Sequence, residues 1–135
     1  VDGAFRQYFD LLCRAARSGL YDIIAHADVI KLAGYLPSYD LVPLYEEAAH
    51  AFAESGVAVE VSTAGLRRPC REIYPAEPFL RLCRACGVPI VISSDAHRPE
   101  DVGRDFAAAV ELARRCGYTH TCRFVRRQRE ELPLG

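Results

Sequence analysis

The sequence has no methionine and only one lysine, Lys31. It begins at Val1, without a start residue, so a segment cut from a longer protein is expected rather than a trimmed whole domain. No apolar run approaches the roughly 18–20 residues that a membrane-spanning helix needs. No signal-peptide pattern occurs in these residues. Net charge is −1, which gives no bulk attraction to nucleic acid or to an anionic membrane. Internal repeats, low-complexity stretches and domain linkers are also missing. Histidine is scarce, with four in the chain, so where each one falls carries information.

What is present suffices for one domain with its own core, since half of the 135 residues are hydrophobic. Six cysteines invite a disulfide framework, but their placement argues otherwise. Phe79, Leu82, Cys83 and Cys86 fall at helical spacing on one face, and Gly87 then stops the helix. The C-x-x-C therefore reads as small core residues, and no second C-x-x-C completes a zinc site. Such cysteine usage suits a reducing cytoplasm, the expected location.

Helical and strand patterns alternate with short connections, which predicts an α/β fold of βα units around a parallel sheet. Residues 4–18 carry Phe5, Phe9, Leu12, Cys13 and Ala16 on one face, and Gly19 closes the helix. Tyr21–Ala25 reads as a buried strand, followed by a loop over 33–40. Pro43 opens a helix with Leu44, Ala48 and Phe52 as its core stripe, and Gly56 ends it. Val57–Ser62 alternates cleanly, with Val57, Val59 and Val61 on one face. A long loop over 63–75 precedes a helix near 76–86. Val88–Ser93 is apolar enough for an interior parallel strand. Pro99 is expected to start a helix that buries Val102, Phe106, Ala109, Val110 and Ala113. Tyr118–Val125 is expected to be the last strand, with a charged tail in coil after it.

The chemistry-bearing residues collect at the carboxyl ends of these strands, where active sites of βα folds assemble. His26-Ala27-Asp28 follows the first strand, and Asp95-Ala96-His97 follows the third. Each pair sets an imidazole and a carboxylate two residues apart, a pattern able to bind a divalent cation. Glu60 points from the second strand and must find a partner. Two readings stand open: it holds a metal-binding histidine in place, or it pairs with an arginine such as Arg67. The loop Ser62–Pro69 brings hydroxyls, a glycine and the arginines Arg67 and Arg68 to the same edge, and an arginine fork suits phosphate. His50 reads as a solvated helix residue and His120 as a satisfied core histidine.

These segments together resemble the histidinol-phosphatase branch of the polymerase-and-histidinol-phosphatase (PHP) superfamily. The likeness runs from about Tyr21 to Leu134. It is carried by DIIAHADVIK (22–31), GYLPSYD (34–40), VEVSTAGLRRP (59–69), EIYP (72–75), ISSDAHRPEDVGRDF (92–106) and FVRR (124–127). The resemblance implies a distorted, TIM-like barrel of seven βα units, of which residues 1–135 would be the C-terminal part. It implies a cluster of divalent metals (zinc, iron or manganese), with His26, Asp95 and His97 as ligands. Asp95 and His97 would act at the reaction centre. Arg67 would bind the substrate phosphate, and Glu60 and Asp28 would support the metal-binding histidines. Ser62 stands where the family usually has asparagine.

The superfamily's opening H-x-H motif is not in this sequence, and three side chains cannot hold two or three metals when one catalytic zinc takes about three protein ligands. The metal cluster is thus expected to be incomplete here, with the N-terminal half of the same barrel as the missing partner. The implied reaction is metal-dependent hydrolysis of histidinol phosphate to L-histidinol and phosphate, in histidine biosynthesis, with the chain inactive by itself. The alternatives are a related phosphoesterase acting on nucleotides, or a non-catalytic remnant that serves as a binding module.

Overall fold

The computed structural model describes all residues, 1–135. Four helices lie on one face of a short parallel sheet: α1 (Asp2–Arg17), α2 (Val42–Ser55), α3 (Glu77–Ala85) and α4 (Phe106–Arg115). The sheet has three strands in the order β1 (Ile23–Ile24), β2 (Ala58–Ser62) and β3 (Ile90–Ser93), all parallel. The α/β architecture with a parallel sheet is as the sequence predicts.

The helices form where the apolar spacing places them. Phe5, Phe9, Cys13 and Ala16 are the buried face of α1. A proline in the first turn of α2 supplies the helical φ and lacks only a donor that would be unpaired there anyway. Gly56 ends that helix with φ +71°, a conformation that costs a residue with a Cβ. Burial on α2 falls on Tyr45, Ala48, Ala49, Ala51 and Phe52, with Leu44 half-buried, so the stripe is rotated slightly from the predicted one.

Aromatic rings lock the helical layer. Tyr45 of α2 stacks on Phe79 of α3 at 4.7 Å between centroids, and Phe9 of α1 meets the edge of Tyr45 at 5.7 Å. Phe52 lies 6.0 Å from Phe79. Such contacts add about 0.5–1.5 kcal/mol each beyond the area they bury. Val59 and Val61 of the central strand, with Val57 just before it, pack against this layer, as do Ile24 and Ile90. The opposite face, carrying Ile23, Glu60 and Val91, is only partly covered, and Ile23 is 37% exposed.

Three expectations need correction. The last strand, β4 (His120–Val125), does not join the parallel sheet. It pairs antiparallel with β5 (Gln128–Pro133), a segment that reads as a charged tail. The turn uses Arg126 and Arg127, both left-handed at φ +50° and +66°. Two-residue hairpins ordinarily signal themselves by Asn-Gly or Asp-Gly at such positions, so the sequence gives no cue. Contacts made elsewhere hold it: Arg127 forks onto Asp22 at 3.1–3.3 Å, and Arg123 donates to Glu130 across the strands at 2.6 Å.

Second, residues 99–105 are a short 3₁₀ turn (Pro99–Asp101) and a loop, not the start of α4. Val102 is 74% exposed as a result. Third, His120 is exposed and shares a 2.8 Å contact with Thr119 Oγ1, so it is no core residue. Cys122 and Tyr118 take the buried positions there. All six cysteines are free thiols, with Cys83 buried in the core and Cys86 half-buried.

Candidate functional site

Because the three strands run parallel, their carboxyl ends open on one edge, and each end makes a sharp turn there. After β1 the backbone enters a left-handed conformation at His26 (φ +33°), and after β3 it does so at Asp95 (φ +47°). Positive φ in a residue with a Cβ costs on the order of 1 kcal/mol or more and needs surrounding support. Side chains give that support. Glu60 Oε1 accepts the His26 N–H at 2.9 Å, and Ser93 Oγ accepts the Asp95 N–H at 3.0 Å.

The excursion after β2 is closed at its base, where Ser62 and Tyr74 exchange backbone hydrogen bonds of 2.7 and 3.1 Å. Inside it, Thr63–Arg67 forms a 3₁₀ turn started by Ser62, whose Oγ accepts the Ala64 N–H. Gly65 lies against the returning chain. A Cβ there would meet the Glu72 carbonyl oxygen at 1.9 Å and the Tyr74 ring at 3.0 Å. Neither the backbone nor a buried ring can step aside cheaply. Gly65→Ala is expected to destabilise the chain by about 1–3 kcal/mol, read as a lower urea midpoint at unchanged m-value. A midpoint equal to the parent's would contradict this packing.

That turn aims Arg67 at the third strand. Its Nη2 donates to the Ser94 carbonyl at 2.6 Å, its Nε lies 4.0 Å from Asp101, and its Nη1 is buried without a hydrogen-bond partner. The loop carrying Asp101 is pinned over the same edge. Thr63 Oγ1 donates to the Arg104 carbonyl at 2.8 Å, and Ser94 Oγ accepts the Gly103 N–H at 3.2 Å. Asp101 is buried among three arginines. The hydrogen bond from Arg104, with the charges of Arg98 and Arg67, holds its carboxyl below the usual aspartate value.

The result is a cavity of about 270 Å³ lined by Ala64, Arg67, Arg68, Asp95, His97, Arg98 and Asp101. His97 Nδ1 lies 2.9 Å from the Asp95 carbonyl. A carbonyl only accepts, so Nδ1 is the donor in this contact and Nε2 is the ring nitrogen left without a partner. The site thus combines an imidazole, two carboxylates and three guanidinium groups.

Of the residues singled out from sequence, Asp95, His97 and Arg67 therefore meet in one cavity. His26 does not line it. It follows β1, which is separated from β3 by the central strand. Glu60 Oε1 accepts the His26 backbone N–H and makes no ion pair with Arg67. Asp28 departs from its expected supporting role. It is buried at the start of a 3₁₀ turn (Val29–Ala33), where Oδ2 accepts from Lys31 at 3.0 Å and from the Ala76 N–H at 2.8 Å. Burial pushes its carboxyl above the usual value, against the pull of Lys31.

Arg98 and Asp101 are site residues that sequence reasoning passed over. Their signal was adjacency, in the run His97-Arg98-Pro99-Glu100-Asp101, but their convergence with Arg67 depends on the loop's return across the edge. No group of three or more His, Cys, Asp or Glu side chains is close enough to hold a metal ion. Asp95 and His97 share the cavity with Asp101, which is taken up by three arginines, so the residues present do not by themselves make a metal centre.

No protein-family model matches the chain. Comparison with curated proteins finds relatives. Over 120 residues, 87% of its length, the chain is 44% identical to a protein of Deinococcus radiodurans named probable histidinol-phosphatase. It is 24% identical over 115 residues to a probable histidinol-phosphatase of Schizosaccharomyces pombe, covering 85% of this chain. It is 32% identical over 83 residues to the histidinol-phosphatase of Bacillus subtilis, covering 61% of it. The matches take in 44%, 34% and 31% of those proteins, so the chain spans less than half the length of each.

Proposed function

We propose, on the premise that this chain is a relative of the histidinol-phosphatases, that it forms part of a phosphomonoester hydrolase that releases phosphate and L-histidinol from histidinol phosphate. The observation that carries this reading is the cavity at the carboxyl edge, where Arg67, Arg68 and Arg98 face Asp95 and His97. In phosphoryl transfer the protein contributes mainly positioning and charge. Arginine supplies both, through paired donors that match phosphate oxygens. The unpartnered Nη1 of Arg67 leaves a buried donor for an anion to satisfy. Arg67 would grip the phosphate, and Arg98 and Arg68 would counter the charge that builds on its equatorial oxygens.

The remaining parts of the reading concern the whole protein. The three parallel strands would be a piece of a TIM-like barrel whose other strands cover the open face at Ile23, Glu60 and Val91, since parallel sheets are buried on both faces. His26, Asp95 and His97 would be this chain's share of a divalent metal cluster of zinc, iron or manganese, completed by side chains beyond residues 1–135. The protein would work in the cytoplasm, in histidine biosynthesis, without nucleic acid or membrane as partner; no helix is long and apolar enough to cross a membrane.

The test compares histidinol phosphate with nucleoside monophosphates as substrates of the whole protein. Histidinol phosphate is expected to be preferred by at least about ten-fold in kcat/KM, a difference of about 1.4 kcal/mol in transition-state binding. Equal or better turnover of nucleotides would refute the assignment. The 135-residue chain alone is expected to show no turnover and to retain no stoichiometric metal by elemental analysis. One tightly held metal per chain would contradict that.

A further inference from the structure

Beside the cavity of Asp95 and His97 lies a larger groove of about 530 Å³, lined by Leu66, Pro69 and five arginines: Arg67, Arg68, Arg71, Arg98 and Arg104. Three of these arginines also line the smaller cavity, so the two are continuous. In a chain whose net charge is −1, this concentration is local. Glu72, Glu77 and Glu111 line a neighbouring pocket with Arg71, but they pair with Lys31, Arg81 and Arg115. The carboxylates paired with the groove's own arginines are few. Asp101 is shared among Arg67, Arg98 and Arg104, and Asp105 lies 3.9 Å from Arg104. Arg68 and Arg71 are exposed, and their guanidinium groups pair with no carboxylate. Five cations against two anions leave a surplus of three positive charges along one wall.

Like charges held this close repel unless an anion comes between them. A phosphomonoester brings at most about two negative charges, and it would sit in the smaller cavity. The groove is about twice that cavity's volume. Both its charge and its size suit an anion with two or more linked phosphates.

We infer that this groove is an oligophosphate-binding site, taking pyrophosphate, tripolyphosphate or the phosphate chain of a nucleoside di- or triphosphate. Of the two compartments, Arg71 and Arg104 line only the groove, and Arg67, Arg68 and Arg98 line both. An oligophosphate there competes with an orthophosphate for the shared arginines. The inference needs no turnover and stands apart from the choice of phosphatase substrate.

Calorimetric titration of the 135-residue chain tests it, with orthophosphate, AMP, tripolyphosphate and ATP at matched ionic strength. Tripolyphosphate and ATP are expected to bind at least about ten-fold more tightly than orthophosphate and AMP. Arg71→Gln should weaken tripolyphosphate by about five-fold or more and leave orthophosphate within about two-fold. Its side chain has no partner to lose, and circular dichroism with the melting temperature checks the fold. Arg104→Gln is a second variant, expected to weaken tripolyphosphate by a similar factor; because Arg104 also bonds Asp101 of the smaller cavity, the orthophosphate control is read in Arg71→Gln alone. ATP binding more tightly than tripolyphosphate would show that the nucleoside also contributes; equal affinity would assign the site to the phosphates alone. Tripolyphosphate binding no tighter than orthophosphate, or unchanged in both variants, would overturn the inference.

Discussion

Lys31→Met is expected to cost about 3–5 kcal/mol of stability, the largest loss from any single charge in the chain. The chain's one lysine is 3% exposed, and its ammonium has three donors and three acceptors around it. It donates to Glu72 at 2.8 Å, to Asp28 at 3.0 Å and to the Ile73 carbonyl at 3.1 Å. Those contacts tie the turn after β1 to the segment that returns from the arginine loop. Removing the cation leaves Asp28 buried with no counter-charge, and its Oδ1 already lacks a hydrogen bond. Surface pairs such as Arg14–Asp10, by contrast, contribute about 0–1 kcal/mol.

Urea unfolding reads the loss, and its pH dependence carries a sign. Asp28 has its carboxyl pKa raised by burial, so between its unfolded and folded values the native state binds more protons than the unfolded state. Stability from this group therefore falls as pH rises through that window. In Lys31→Met the upward shift grows, so the deficit should be smaller in acid, where Asp28 is neutral, and full at neutral pH. The double variant Asp28→Asn, Lys31→Met should recover part of the loss, because it buries no charge. A deficit under about 1 kcal/mol, or one that does not change with pH, would mean that the pair does not anchor this turn.

The second large effect is on activity. In the whole protein, Arg67→Ala is expected to lower kcat/KM for the phosphate ester by about 10²–10³-fold, the usual loss when one preorganised donor to a developing oxyanion is removed. Arg67 is held by Ser94 and Asp101 before any ligand arrives, so its geometry costs nothing at the moment of reaction. Arg67→Lys keeps the charge without the fork, and should recover only a small part of the rate. Fall in kcat with little change in KM would place its role in the transition state; a rise in KM alone would place it in ground-state binding. A change of less than about three-fold in kcat/KM would remove Arg67 from the site.

Both variants test features that differ in how visible they were beforehand. Arg67 was legible, because a glycine, a leucine and two arginines after an alternating strand form a recognisable run. The buried lysine was not. A single Lys31 among charged and apolar neighbours looks like a surface residue, and nothing local shows that residues 72–76 fold back over it. Asp28 was misjudged for the same reason. Its proximity to His26 in sequence suggested a shared task, but His26 is exposed while Asp28 is buried against Lys31 and the Ala76 N–H.

By itself the sequence determined the four helices, apart from the start of α4, the three strands of the parallel sheet and the edge at which the chemistry collects. Apolar period, proline and glycine punctuation, and the direction of βα units are properties of neighbouring residues, and local sterics enforce them. Only the tertiary structure decided the C-terminal hairpin, the partners of Asp28 and Lys31, and the gathering of Arg67, Arg98 and Asp101 around one cavity. Those depend on long-range pairings, such as Arg127 with Asp22 or Thr63 with the loop at Arg104, in which a hydrogen bond or ion pair forms between groups dozens of residues apart. A one-dimensional pattern holds no record of which distant group will satisfy a buried charge.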